Sequence, residues 1–339
     1  MGTGPALDRR TLLLGAAPWP LTACRRENDP SLQGGWVGAA HERGHRLREP
    51  VPAAVRPVQR RAAVVIVGAG IAGLAAAREF TRQGVDDVQL LELEDQPGGN
   101  SRAHRMDGMA CPLGAHYLPQ PGEAAHEVLD WLHEVGLLRH EAGRRVADER
   151  HLCHSPQERL FFDGAWHDGL LPPADPGSAT MAAYKRFAQL VAAAPAFAIP
   201  THRAGWSAAH AELDGQTFAA WLDRHGLQDP ALRWYLDYCC RDDYGAGLDS
   251  VSAWAGLHYF ASRHGFHAPG DAESEREPVF TWPEGNAWLT ERLATPMRER
   301  LHTGRVVQRV REQRDGVELQ VWHGTVAEAW RAGTVVLAV

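Results

Sequence analysis

The stretch AVVIVGAGIAG, Ala63 to Gly73, narrows what this chain can fold into more than any other. Ala63–Val67 is a continuous β-branched run, the pattern of a strand buried on both faces, and such strands belong to parallel sheets covered by helices. It runs straight into Gly68-x-Gly70-x-x-Gly73, then an Ala-rich helical segment ending near Gln83-Gly84, then a second apolar strand, Val88–Leu91, and Glu92. Each part has a physical reason. Gly68 permits a tight turn, Gly70 lets the backbone approach a pyrophosphate, and Gly73 lets helix and strand close on each other. The helix N-terminus offers unpaired N–H groups and a partial positive charge to phosphates. Glu92 stands 19 residues past Gly73, close to the ~20 expected of an acid that binds a ribose hydroxyl, and its charge repels a 2′-phosphate. The order strand, turn, helix, strand, acid specifies an α/β dinucleotide-binding unit.

The fingerprint alone serves NAD and FAD equally. Past Glu92 the chain reads LEDQPGGNSRAHRMDGMACPLGAHYLPQPG, and here it resembles the flavin-containing amine oxidoreductase superfamily, which includes monoamine and polyamine oxidases, phytoene desaturases and protoporphyrinogen oxidases. The resemblance rests on the Gly98-Gly99 pair, six residues beyond Glu92, and on the later turn Gly114-Ala115-His116-Tyr117. It implies a Rossmann-type FAD-binding domain with a parallel sheet, an inserted helix-rich substrate domain, and hydride transfer from a substrate C–H to flavin. The implied cofactor contacts are Gly68, Ala69, Gly70, Ile71, Ala72, Gly73, Glu92, Gly98, Gly99, Asn100, Ser101, Arg102, Gly114, Ala115 and His116. Val307, with Val306 as the alternative, matches a valine whose backbone meets the adenine. Two departures stand out. Asn100-Ser101-Arg102 replaces the Arg that often follows the glycine pair, so Arg102 is expected to reach the phosphates from another angle. Cys111 stands where an acid is common, either as an inert buried thiol or as one near the flavin.

The middle of the chain changes to helical period. In EAAHEVLDWLHEVGL, Val128, Leu129, Leu132 and Val135 share one face and Gly136 stops the helix. RLFFDGAWHDG is a hairpin with its turn at Asp163-Gly164. Further helices are expected over 179–194, 217–225 and 229–240, the last with Pro230 in its first turn. VFTWPEGNAWLTERLATPM, 279–297, resembles the family's return segment, and RVVQRVREQ, GVELQVWHG and AGTVVLAV read as strands, the last buried and parallel. The expected organisation is 62–120 with 300–339 as the FAD-binding domain and 121–299 as the substrate domain. The resemblance covers the first two-thirds or so of a family member, whose later part supplies a catalytic lysine, an aromatic cage and a final glycine-rich motif. The chain is therefore expected to be a fragment of a longer product.

For the substrate wall the candidates are His116, Tyr117, Tyr244, Trp282 and Trp288, because aromatic side chains combine flat apolar faces with polar edges. Lys185, the one lysine, lies far from any motif. RDDYGAG, 241–247, sets two carboxylates side by side and reads as a solvated helix end rather than an acid/base pair. His151, Cys153 and His154, like His258, His264 and His267, lack a second ligand pair at zinc spacing, so no metal is expected.

A net charge of −7 without a dense basic stripe excludes a nucleic-acid partner. No apolar run approaches the ~20 residues that span a bilayer, and five scattered cysteines make no disulfide framework. Arg9-Arg10, the short apolar segment 11–17 and LTAC ending at Cys24 resemble a twin-arginine export signal combined with a lipoprotein signal. That resemblance implies residues 1–24 as a signal peptide, lipidation at Cys24, the twin-arginine machinery as partner, and a periplasmic or membrane-anchored product exported with its cofactor already bound. Residues 25–61, rich in Arg, Pro and Gly, read as a flexible tether. The partner expected at the site is a small-molecule substrate. Two other functions stay open at this point: an NAD-dependent dehydrogenase, and a non-catalytic dinucleotide-binding module.

Overall fold

In the computed structural model, which describes residues 35–50, 56–154, 158–263, 265–269 and 279–339, the β-branched run becomes the middle of a six-stranded sheet. Numbered along the chain, its strands are β1 (Val58–Val67), β2 (Val88–Leu91), β3 (Leu301–His302), β4 (Arg305–Gln313), β5 (Gly316–His323) and β6 (Val326–Leu337). The spatial order is β3-β2-β1-β6-β5-β4. β3, β2, β1 and β6 run parallel, and β4 to β6 form an antiparallel meander. Val64–Val67 pair with Val88–Leu91 on one side and Thr334–Leu337 on the other, which is why that run carries no polar residue.

β1 starts at Val58, ahead of the expected Ala63, so part of the expected tether is sheet. Further upstream lie a short helix α1 (His41–His45) and a 3₁₀ turn, Arg46–Arg48. A composition argument counts only apolar burial, whereas this segment is held by polar contacts. The Glu94 carboxylate accepts from Ala40 N at 2.9 Å, Arg43 pairs with Asp95 at 2.8 Å, and Gln308 Nε2 donates to Glu49 O at 2.7 Å. Residues 1–34, with the Arg9-Arg10 segment and Cys24, lie outside the described residues.

Helix α2 (Ile71–Arg82) buries Gly73, Leu74 and Ala77 against Val64, Ile66 and Leu90. Because strand side chains alternate, Val65, Val67 and Leu91 turn the other way, to Leu319, Val321 and Trp330 of the meander. Helix α3 (His126–Glu134) buries Leu129 and Leu132, and Gly136, at φ +78°, ends its turn. Two-residue turns at Asp107-Gly108, Ala142-Gly143 and Asp163-Gly164, all at positive φ, close three hairpins, as the primed turns that suit strand twist require.

The helical region comprises α4 (Ala179–Ala192), α5 (Ala208–Asp214), α6 (Phe218–Arg224), α7 (Pro230–Tyr244) and α8 (Ala253–Ala261). Ser178, Ser207, Thr217, Asp229 and Ser252 cap their N-termini, each side chain accepting a backbone N–H one turn on. Their apolar faces meet in one core around Tyr184, Phe187, Phe218, Leu232, Leu236 and Phe260. α7 runs past Cys240 to Tyr244, where Gly245 at φ +66° forms its left-handed cap. α5 and α8 have no counterpart in the sequence reading. α8, AWAGLHYFA, is apolar nearly all round and carries a central glycine, so it shows neither a helical stripe nor helix-favouring composition. Gly256 is there because a Cβ would stand 2.2 Å from the Phe218 ring. Helix α9 (Ala287–Ala294) returns the chain to the sheet, setting Leu293 and Ala294 against the α2 side. No helix among the described residues is long and apolar enough to cross a membrane.

Candidate functional site

Four turns from distant parts of the chain stack at the carboxyl ends of β1 and β2. The first is Gly68–Gly73. Gly68 adopts φ +95°, and its N–H donates to Leu91 O at 2.8 Å, tying the turn to the end of β2. A Cβ on Gly73 would lie 1.9 Å from Gly68 O, so strand and helix approach closer here than any side chain allows. The second is Gly98-Gly99. Gly98 N donates to Ala69 O at 2.8 Å, and a Cβ on Gly99 would touch the Gly70 Cα at 3.4 Å.

The third turn, Gly114–His116, leans on the second through Asn100. Ala115 N donates to Asn100 O at 2.9 Å, and a Cβ on Gly114 would strike the Asn100 side chain at 2.3 Å. The fourth, Pro283–Asn286, belongs to the return segment. Asn286 N donates to Ala115 O at 3.0 Å and Asn286 Nδ2 to Tyr117 O at 3.0 Å, while Gly285, at φ +62°, leaves no room for a Cβ beside Pro112 and His116. Asn286 Oδ1 is buried with no partner among the described residues.

Glu92 sits at the centre of the first turn. It is buried, and its Oε2 accepts from Ala69 N at 2.6 Å while Oε1 accepts from Glu94 N at 2.8 Å. No Arg or Lys pairs with it among the described residues; two backbone N–H groups and the nearby α2 N-terminus meet its charge. A carboxylate offers about four acceptor positions, so two remain for hydroxyl donors. The N–H groups of Ile71, Ala72 and Gly73 have no acceptor among the described residues. A hydroxyl-accepting acid beside a cluster of open N–H donors suits a ribose joined to a diphosphate.

Other expected residues are placed differently. Ser101 is buried, and its carbonyl accepts from Thr290 Oγ1. Arg102 bonds Gly99 O at 2.9 Å and pairs with Glu94 at 3.4 Å, so its guanidinium braces the glycine loop instead of standing open toward phosphates. The Cys111 thiol is half-buried and donates to His104 O across its hairpin. Val306 is buried, and Val307 is half-buried on β4, the outer strand of the sheet. There the register shifts by one residue between Val307 and Arg309.

Of the aromatic candidates, His116 and Tyr117 stand exposed at the third turn, their rings edge to face at 4.8 Å. Trp282 does not join them. It is a core residue, stacked on Trp288 at 4.9 Å and bonded through Nε1 to His151 Nδ1 at 2.9 Å, because, two positions beyond Phe280, it shares that residue's buried face. Tyr244 is likewise tied away, its hydroxyl donating to Ala255 O at 2.8 Å, and burial with Asp243 nearby pushes it up to about 12. The sequence reading passed over Trp234 and Tyr238, which stack at 6.2 Å on the exposed side of α7. Burial raises the Tyr238 phenol. The signal of this pair in the sequence was two aromatics four apart in a polar helix end. Of the adjacent carboxylates Asp242 and Asp243, Asp243 pairs with Arg263, while Arg241 of the same stretch pairs with Asp237 one turn earlier. Lys185 is exposed. Among the described residues no group of three or more His, Cys, Asp or Glu is arranged to hold a metal.

The mixed α/β fold with a six-stranded, mainly parallel sheet and a helical region is that of the amine oxidase FAD-binding fold. Residues 71–339 match the profile described as flavin containing amine oxidoreductase, and the chain belongs to that family. It is 28% identical over 283 residues to AofH of Mycobacterium tuberculosis, which is named provisionally as a flavin-containing monoamine oxidase; the match covers 81% of this chain and 56% of that protein. A zeta-carotene-forming phytoene desaturase of Myxococcus xanthus is 41% identical over 100 residues, 29% of this chain and 17% of the desaturase. Putrescine oxidase with bound putrescine superposes with a TM-score of 0.56 at 20% identity, over 83% of this chain and 58% of the oxidase. Cyclohexylamine oxidase of Brevibacterium oxydans gives 0.56 at 20%, over 81% and 57%. These structural likenesses establish the fold. The chain thus spans little more than half the length of AofH and of both oxidases.

Proposed function

We propose that this chain binds FAD and belongs to an oxidoreductase that takes a hydride from a carbon of a small amine. The observation that carries the reading is the Glu92 carboxylate, held by Ala69 N and Glu94 N inside the glycine turn with acceptor positions to spare. Bound there, FAD supplies the redox chemistry. The chain's own groups do the rest. Glu92 accepts from the ribose hydroxyls, and the N–H groups of Ile71 to Gly73 meet the diphosphate. Gly98-Gly99 and the Gly114–His116 turn let backbone lie close along the cofactor, and His116 and Tyr117 shield one side of the substrate pocket from water. The names of the relatives, an amine oxidase among the curated proteins and putrescine and cyclohexylamine oxidases among the structures, support an amine as the substrate class. Export by the twin-arginine route and lipidation at Cys24 remain part of this proposal, resting on the sequence pattern of residues 9–24.

The test is anaerobic mixing of the purified, FAD-loaded full chain with putrescine or cyclohexylamine while the flavin absorbance is followed. Bleaching by an amine is the expected result. A flavin that stays oxidised with every amine, while FAD remains bound, leaves a binding module and overturns the catalytic half of the proposal.

A further inference from the structure

We propose that the helical region carries a second binding site, taking a fully alkylated ammonium group, in the cavity beside a cluster of five aromatic side chains, in which Phe197 also packs on Trp254 at 5.8 Å. Ring centroids connect His210 to Trp206 at 5.7 Å, Trp206 to Trp254 at 5.7 Å, Trp254 to His258 at 5.0 Å, His258 to Phe197 at 5.7 Å, and Phe197 back to His210 at 5.2 Å. The cluster borders a cavity of about 300 Å³, completed by Ala198, Thr201, His202, Ala204 and Gly205. Four of the aromatics come from α5, α8 and the loop between α4 and α5, and Trp206 forms the mouth with 60% of its surface exposed. Among the described residues, no hydrogen bond, ion pair or ring contact joins these five residues to the glycine turns or Glu92.

The chemistry of the walls selects the occupant. No Asp, Glu, Lys or Arg lines the cavity. Both histidines spend ring nitrogens on hydrogen bonds. The Ser207 backbone N–H donates to His210 Nδ1 at 3.1 Å, and Nε2 lies 3.0 Å from Ala196 O. Nε2 of His258 is turned to Ala198 O at 3.3 Å, and burial lowers its protonation. Aromatic ring faces attract a cation within about 6 Å of the centroid. A primary ammonium entering here would forfeit hydrogen bonds, since the Ala196 and Ala198 carbonyls already serve the histidines. A quaternary ammonium has no N–H to satisfy, and its methyl groups gain apolar contact. The site therefore suits trimethylammonium compounds and disfavours the unsubstituted amines proposed as substrates.

The experiment compares choline with 3,3-dimethylbutan-1-ol, its uncharged isostere, by equilibrium dialysis against the full chain at constant ionic strength, without FAD. Choline is expected to bind saturably and the alcohol at least about fivefold more weakly, the scale of one cation–π contact. Trp206→Ala, at an exposed position, is expected to weaken choline binding about tenfold and Trp206→Phe to restore most of it. Ala204→Phe, which fills the cavity while keeping all five rings, should abolish it. Equal binding of alcohol and choline, no saturation with choline, or choline binding unchanged in both Trp206→Ala and Ala204→Phe would overturn the proposal.

Discussion

The sheet end and the helical region are held together by opposite means. At the glycine turns backbone meets backbone: Gly68, Gly73, Gly99, Gly114 and Gly285 occupy points where one added carbon would collide with or crowd main chain or a neighbouring side chain. In the helical region side chains fill the space, with Phe187 in contact with Phe218, Trp221, Phe260 and Phe266. The first design fixes atoms to within tenths of an ångström and leaves N–H groups open to a ligand. The second produces stability from apolar area and tolerates exchange of one ring for another.

The largest test of this contrast is Gly73→Ala. Its Cβ would overlap Gly68 O at 1.9 Å, so the variant should lose about 4 kcal/mol or more, or fail to fold. Gly84→Ala, at φ +81° with nothing within 4 Å, should cost about 1–2 kcal/mol from backbone strain alone. Urea unfolding of both variants separates close approach from conformation; equal costs would break the comparison. In the helical core, Phe187→Ala should destabilise by about 3–5 kcal/mol. Gly256→Ala, crowding Phe218, should cost about 1–3 kcal/mol and be partly rescued by Phe218→Leu.

The smallest effect is on pH. Burial lowers His302 in the sheet, bonded to Gln89 at 2.8 Å, and His258 in the helical region. Both favour the neutral form when folded, so the unfolded chain binds protons first as pH falls. Their contribution is whole above about 6.5, the ordinary histidine value, and is lost as pH drops below it. Unfolding midpoints between pH 7.5 and 5 should decline, and less steeply in His258→Gln and His302→Gln.

The same contrast explains how much was legible beforehand. Gly68, Gly70, Gly73 and Glu92 could be located by counting, because backbone approach demands glycine at fixed intervals and a ribose demands an acid at a fixed distance. The expected hairpin at Asp163-Gly164 and the stop at Gly136 were legible for the same conformational reason. α5 and α8 were not, since a helix buried on most sides has no stripe and Gly256 argues locally against it. Trp282 could be named but not placed, because a tryptophan looks alike in a core and in a pocket. The polar anchoring of α1 on Glu94 and Asp95 joins residues some fifty apart along the chain, a pairing that composition does not encode.

The most direct measurement is FAD binding by the purified full chain and by Glu92→Gln, followed through flavin absorbance and equilibrium dialysis. The expected result is one FAD per chain, with affinity lowered at least about tenfold in the variant, the scale of a charge-assisted hydrogen bond. A chain that takes up no FAD, or that holds it equally well without the Glu92 charge, would contradict the assignment of this site.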